Sequence, residues 1–422
     1  MDADTIFAVA SGAGHAAIAV MRLSGPGSRA MLAALCGRVP APRRVSLRRL
    51  RDVDQAMVVW LPGPGSYTGE DSAEFYLHGG RSVLNGVADA LVALGARPAE
   101  PGEFTRRAFL NGRMDLTEAE AVHDLIAAET EAQRRQALRQ LDGALGSLYR
   151  GWAERLRLLL AQQEALIDFP DEDLPAEVEG QVQAELTALR QEMATHLDDG
   201  RRGERLREGL VFAVTGAPNV GKSSLVNALA ERDVAIVSAT PGTTRDALET
   251  RVVLGGVPVT LVDTAGLRDT ADEIEAEGVR RARARAEAAD LVIRVVDAPE
   301  ESGNDADWML VANKRDLGGA VPVGAIGVSA LTGEGLDTLR GRLAQVARSL
   351  TESSGPPPLT QARHRVALQE AAARLAGATT ADLPELRAED LRLALRALGR
   401  ITGSVGVEDI LDTLFARFCI GK

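Results

Sequence analysis

The chain has 422 residues, 45% hydrophobic and 26% charged, with a formal net charge of -12, a balance that fits a globular protein of about three domains and excludes a disordered or fibrous one. No run of 18 apolar residues offers a membrane span, and the acidic start MDADTIFAVA does not read as an export signal. Cys36 and Cys419 are too few for a disulfide scaffold or a cysteine-rich metal site, so the expected home is the cytoplasm.

Residues 1–118 read as an α+β domain with a net charge of +1. TIFAVAS (5–11), AIAVMRLSG (17–25) and AMVVWLP (56–62) have strand composition, and Glu74 to His78 alternates. Residues 27–36 and 82–94 carry helical apolar spacing, and PGPGSYTGED (62–71), HGG (78–80) and EPGEF (100–104) read as glycine-rich turns. Residues 119–208 carry -8 and form a helical stripe from Val122 through Trp152 to Leu166, ending at Phe169-Pro170, with a further helix at 176–199. Residues 209–350 carry -5, and TESSGPPP (351–358) is a linker before helical segments at 361–376, 384–400 and 407–418. The predicted architecture is multidomain: an α+β N-terminal domain at 1–118, an all-helical domain split into 119–208 and 351–422, and an α/β P-loop domain at 209–350 inserted between its halves. The acidic balance argues against a protein that coats nucleic acid, while leaving room for a local basic surface.

The inserted segment opens with the strand LVFAVTG (210–216), the loop GAPNVGKS (216–223) and a helical SSLVNALAE. That is the strand, glycine loop and helix context of a phosphate-binding loop. Backbone N–H groups along Asn219, Val220, Gly221, Lys222, Ser223 and Ser224 can cradle phosphates, Lys222 can reach the β and γ phosphates, and Ser223 can ligate Mg²⁺. In PGTTRD (241–246), Thr243 or Thr244 can complete the Mg²⁺ shell; in VTLVDTAG (259–266), Asp263 can hold the ion through water and the Gly266 N–H can face the γ phosphate. MLVANKRD (309–316) places Asn313, Lys314 and Asp316 beyond a strand, where Asp316 can accept from guanine N1–H and its amino group, which adenine lacks. GVSAL (327–331) brings Ser329 and Ala330 near the base. Four motifs in this order indicate GTP. Two of only three lysines, Lys222 and Lys314, stand here; the third is Lys422.

Leu267 follows Gly266, so no glutamine orients water there, and any acid in DTADEIEAEG (269–278) is open to that role or to plain solvation. Asn219 is open to a loop hydrogen bond or to a monovalent cation supplying the charge of an arginine finger. Only PEESGNDAD separates the strands LVIRVVDA (291–298) and WMLVANK (308–314), fewer residues than a parallel crossover normally needs. One covering helix is therefore expected to be missing from that part of the sheet.

The whole chain resembles the MnmE (TrmE) family of bacterial tRNA-modification GTPases. The resemblance rests on GPGSYTGED (63–71), HGG (78–80), PGEFTRRAFLNG (101–112), IDFPDED (167–173), the four GTPase motifs, DTAGLR (263–268) and the terminal FCIGK (418–422). It implies an N-terminal domain that binds folate and forms a homodimer, and a K⁺-activated GTPase. Asn219 and the loop SATPGTTRD (238–246), with Ser238 and Thr243, would then enclose K⁺, and Glu275 would position the attacking water. It further implies a tetrahydrofolate derivative (5-formyl- or 5,10-methylene-) as the one-carbon source. An MnmG-like FAD-dependent partner would join in placing an aminomethyl or carboxymethylaminomethyl group on carbon 5 of the tRNA wobble uridine.

Cys419, matched to the family's terminal cysteine, would take part in modification, although by itself it reads equally as a thiol ending a helix. For folate the matching segments supply Arg22, Tyr67, Glu70, His78, Glu103, Phe104, Arg107 and Asn111, with Lys422 in the tail. On chemistry alone His78 suits a turn and Glu103 a helix start. The alternative expectation is a regulatory GTP switch that binds RNA or ribosomes without modifying them; the folate-like motifs and Cys419 separate the two, since a pure switch needs neither.

Overall fold

The computed structural model describes residues 4–12, 14–168, 176–232, 249–264, 284, 287–297, 308–318, 320–352, 355–406 and 408–421. They group into two compact units, Met1–His123 with Leu141–Ala161 and Leu391–Lys422, and Asp124–Gln140 with Gln162–Asp390.

The first unit holds a six-stranded sheet of β1 (Ile6–Val9), β2 (Ile18–Ser24), β3 (Ser46–Leu50), β4 (Asp54–Leu61), β5 (Ser72–His78) and β6 (Arg97–Pro98). Its order is β3-β4-β5-β2-β1-β6, antiparallel except where β6 runs parallel to β1. Alternation in β5 turns Ala73, Phe75 and Leu77 inward, where they pack with Met21, Leu23 and Trp60 beneath α1 (Ser28–Cys36) and α2 (Arg81–Ala93). The edge strand β3, read from SLRRL, has no apolar alternation in the sequence; it forms by pairing with β4. EPGEF, expected as a turn, opens α3 (Glu103–Leu110) instead, with Gly102 at φ 69° before it and Glu103 in the first turn.

The single helical stripe expected from Val122 to Leu166 divides into α4 (Leu116–Ala127), α5 (Glu131–Leu141) and α6 (Ala144–Asp168). Two capping boxes start the first two. Glu118 N donates to Asp115 Oδ1 at 2.9 Å while Asp115 N donates to Glu118 Oε2 at 2.7 Å. Gln133 N donates to Thr130 Oγ1 at 3.3 Å while Thr130 N donates to Gln133 Oε1 at 3.2 Å. Gly143, at φ 80°, separates α5 from α6.

After α7 (Ala176–Leu197) and α8 (Arg202–Glu208) comes the second sheet, in the second unit: β7 (Leu210–Thr215), α9 (Lys222–Arg232), β8 (Glu249–Leu254), β9 (Val257–Asp263), β10 (Leu291–Val296), β11 (Trp308–Ala312), β12 (Ile326–Gly327) and α10 (Leu336–Thr351). Its order is β12-β11-β10-β7-β9-β8; all neighbours run parallel except β8 with β9. Strands β10 and β11 pair in parallel over five residues despite the short connection, and Trp308, Val321 and Ala325 pack on Val296, Leu310 and Ala312 there. The connection itself, 298–307, lies outside the described residues. Helices α11 (Ala362–Thr380), α12 (Pro384–Thr402) and α13 (Glu408–Phe415) complete the chain. No helix among the described residues is long and apolar enough to cross a membrane.

Candidate nucleotide site and N-terminal polar cluster

Parallel strands carry their ligands at their carboxyl ends. There the loop after β7 turns into the N-terminus of α9, through Asn219 at φ 64° and Gly221 at φ 92°. At Gly221 a Cβ would meet Asn313 Nδ2 at 2.3 Å, so only glycine lets the phosphate loop close against the base loop. Lys222 is buried, and its Nζ donates to the loop's own carbonyls, Gly216 O at 2.9 Å and Ala217 O at 2.8 Å. The ammonium therefore sits inside the cradle that the phosphates would fill. Ser223 Oγ hydrogen-bonds the Asp263 carboxylate at the end of β9, and Thr264 Oγ1 donates to Val214 O at 2.8 Å. A hydroxyl and a carboxylate meeting beside a phosphate loop are hard oxygen donors, the set that Mg²⁺ takes. Ser224, on the first turn of α9, is exposed.

Buried Asn313 ties the loops together. Its Nδ2 donates to Val220 O at 2.9 Å and its Oδ1 accepts from Ala330 N at 3.0 Å. Asp316 Oδ1 accepts from Ser329 Oγ at 2.5 Å, and Ser329 Oγ accepts from Thr332 N at 3.1 Å. Lys314 stands between them in the left-handed region at φ 62°. The phosphate loop, Asn313, Lys314, Asp316, Ser329 and Ala330 thus form one connected set. Ser238, Thr243, Thr244, Gly266 and Glu275 lie outside the described residues.

A second polar set gathers in the first unit. Arg22 on β2 binds Glu74 through Nε at 3.1 Å and Nη2 at 2.9 Å, and its guanidinium lies 5.1 Å from the Tyr67 ring centre and 5.7 Å from that of Phe104. Arg107 on α3 donates to Glu70 at 3.2 Å, Glu103 at 2.9 Å and Asp4 Oδ1 at 2.8 Å. Arg97 reaches Glu103 at 2.6 Å and pairs with Asp4. Burial pushes the Glu103 carboxyl up, but the Arg97 and Arg107 guanidiniums and the Glu100 amide outweigh it and hold it below the usual range. Burial raises the Tyr67 phenol, whose hydroxyl hydrogen-bonds Thr105 Oγ1 at 2.8 Å. Asn111, at the end of α3, donates to Thr68 O at 2.7 Å.

His78 does not join this set. It lies at the far end of β5, about 20 Å along the strand from its start at ~3.3 Å per residue, exposed and with Nδ1 2.7 Å from Asp54 Oδ1. Sequence reasoning missed Asp4, Arg97 and Glu74. Glu74 sits opposite Arg22 in the β2–β5 register, which strand alternation could have paired; Asp4 meets Arg107, and Arg97 meets Glu103, only through the fold. Cys419 is exposed, its carbonyl 3.5 Å from the Gly102 N–H, and Ile420 bridges Pro101, so the tail lies beside the start of α3. Lys422 lies outside the described residues.

The family described as MnmE helical domain matches residues 116–419, and the one described as GTP-binding protein TrmE N-terminus matches 5–113. A protein named tRNA modification GTPase MnmE from Gluconacetobacter diazotrophicus is 64% identical over 99% of this chain and 98% of its own length. Proteins of the same name from Granulibacter bethesdensis and Rhodospirillum rubrum are 58% and 55% identical over the full length of both chains. Among solved structures, the G domain of FeoB from Methanococcus jannaschii aligns with 33% of this chain and 98% of its own at 26% identity, with a TM-score of 0.23, too low to carry weight.

Proposed function

This chain belongs to the MnmE family of tRNA modification GTPases, and from that premise we propose that it hydrolyses GTP in the service of modifying carbon 5 of the tRNA wobble uridine. The observation that carries the nucleotide half is the link from Val220 through Asn313 to Ala330, with Asp316 held by Ser329. It ties the phosphate loop to the Asp316 loop at the carboxyl ends of one sheet, which supports reading the first as a phosphate cradle and the second as a guanine reader. Lys222 would exchange its two loop carbonyls for phosphate oxygens, and Asp316 would accept the two guanine N–H groups.

Ser223, with Asp263 through water and Thr243 or Thr244, would hold Mg²⁺, and Asn219 with Ser238 and Thr243 would hold K⁺. These cations supply charge stabilisation on the phosphates. Glu275 would orient the attacking water, and the Gly266 N–H would meet the γ phosphate. In the N-terminal domain, Arg22, Tyr67, Glu70, Glu103, Arg107 and Asn111 form a mixed carboxylate, guanidinium and aromatic surface, backed by Phe104, whose ring is fully buried against Ile6, Ala8 and Ala99 and so supports the cluster from the core. That surface suits a pteridine ring and an anionic glutamate tail, and so a tetrahydrofolate derivative that supplies the one-carbon unit. Cys419 contributes to the modification step from the adjoining tail. His78, remote from this cluster, is left as a strand-end residue paired with Asp54. The assembly we propose is a cytoplasmic homodimer working on tRNA with an MnmG-like FAD-dependent partner, its helical domain interrupted by the GTPase domain.

GTP turnover in KCl and in NaCl tests the catalytic half, using wild type and Glu275→Ala. We expect turnover in KCl to exceed that in NaCl at least tenfold and to collapse in the variant. Equal rates in the two salts would remove K⁺ from the account, and an unchanged variant would remove Glu275.

A further inference from the structure

Lys314 does not point loosely into solvent. Its Nζ lies 3.0 Å from Asp297 Oδ2, the residue just past the end of β10. The register of the two parallel strands explains the meeting. Val296 is level with Ala312, and Asn313 N donates to Val296 O at 2.8 Å, so Asp297 comes beside the Asn313–Lys314 turn, where the lysine side chain reaches it. The strand order is β11-β10-β7, and the phosphate loop follows β7. An Nζ anchored on Asp297 therefore holds the lysine stem against the end of β10, the strand that lies between β11 and β7. Both side chains are only part-exposed, 36% for Lys314 and 41% for Asp297. The backbone of Lys314 is already fixed in the left-handed region, so the remaining freedom is in its four-carbon stem.

We propose that Asp297 is a positioning residue for the nucleotide base: it holds the Lys314 stem, through the ion pair at Nζ, as an aliphatic shelf under the purine. This rests on the guanine-nucleotide reading above. An ion pair this exposed adds little to fold stability, so its value lies in pre-ordering a flexible side chain before the ligand arrives. The shelf is a face contact and carries no hydrogen-bond code. Its loss should therefore weaken guanine and hypoxanthine nucleotides alike, whereas loss of Asp316 changes which base is read.

The test is a double-mutant cycle on nucleotide affinity, with Asp297→Ala, Lys314→Ala and the pair in the full chain, titrated with fluorescent GDP and IDP. Thermal unfolding is measured alongside. We expect Asp297→Ala to weaken both nucleotides by about 3- to 10-fold, the size of a freed rotamer-rich side chain, with the melting temperature unchanged. The same change in the Lys314→Ala background should have no further effect, and Asp297→Glu should recover most of the affinity. Additive effects, tighter binding in Asp297→Ala, or a loss that tracks the melting temperature would overturn the proposal. A wild-type chain that binds neither nucleotide would instead overturn the guanine-nucleotide reading itself.

Discussion

Replacing Asn313 with alanine removes the side chain that, among the described residues, joins the phosphate loop to both base loops. Two hydrogen bonds go, to Val220 O at 2.9 Å and from Ala330 N at 3.0 Å. Asn313 is 6% exposed and Val220 3%, so water does not readily take the vacated places. Each bond contributes about 1 kcal/mol net, and the buried Val220 carbonyl left alone costs about 1–3 kcal/mol more. Allowing for partial relaxation, local stability around β7 and β11 should fall by about 2–4 kcal/mol. Because the loop that cradles phosphate is then no longer tied to the loop that reads the base, GDP affinity should fall at least tenfold. Asn313→Asp keeps the acceptor for Ala330 N but sets a carboxylate oxygen against Val220 O, so it should not rescue. Hydrogen exchange of peptides covering the phosphate loop and β11 measures the first quantity, and fluorescent GDP titration measures the second. Unchanged protection together with affinity within twofold of wild type would refute the reasoning.

A different buried group predicts a pH response. Burial, aided by Arg365 and His364 and opposed by Asp199, lowers the His196 pKa from 6.5 to about 4. The unfolded chain takes up that proton at higher pH than the fold does, so the contribution is complete above pH 6.5, falls between 6.5 and 4, and levels off below. At about 1.4 kcal/mol per pKa unit the loss approaches ~3 kcal/mol. Urea midpoints at pH 7.5 and 4.5 should differ less in His196→Gln than in wild type, and equal differences would dismiss His196 as a source. Gly335 starts α10 at φ 73°, where a Cβ would meet the backbone oxygen of Gly327 at 2.1 Å. Gly335→Ala should therefore destabilise the GTPase sheet by more than about 2 kcal/mol, measured by thermal unfolding with GDP bound; a loss under 0.5 kcal/mol, roughly the scatter of a surface change, would contradict it.

The nucleotide site was largely legible because its chemistry is local. The glycine loop and Asn313 to Asp316 each follow a strand whose apolar run is plain in the sequence, Ser329 follows the short β12, and β7, β11 and β12 carry them to the carboxyl ends of one sheet. The N-terminal cluster was legible only in part. Arg107, Glu103 and Asn111 share a helix and a motif, but Asp4 and Arg97 reach them across the chain, through contacts that no periodicity announces. The long helical stripe concealed two breaks because apolar spacing continues through them. The signals at those breaks were local and not apolar: the Thr130–Gln133 capping box that starts α5, and the left-handed Gly143 before α6. At the short β10–β11 connection, strand pairing survives because the ladder needs only the register, while Trp308, Val321 and Ala325 supply apolar cover.

The account stands or falls on whether nucleotide turnover in this chain serves the wobble base. Mass spectrometry of wobble nucleosides can be made on tRNA from source cells lacking the chain, and from the same cells given wild type or Lys222→Ala. The carbon-5 group should vanish on deletion, return with wild type, and stay absent with Lys222→Ala. The same nucleoside profile in all three strains would contradict it.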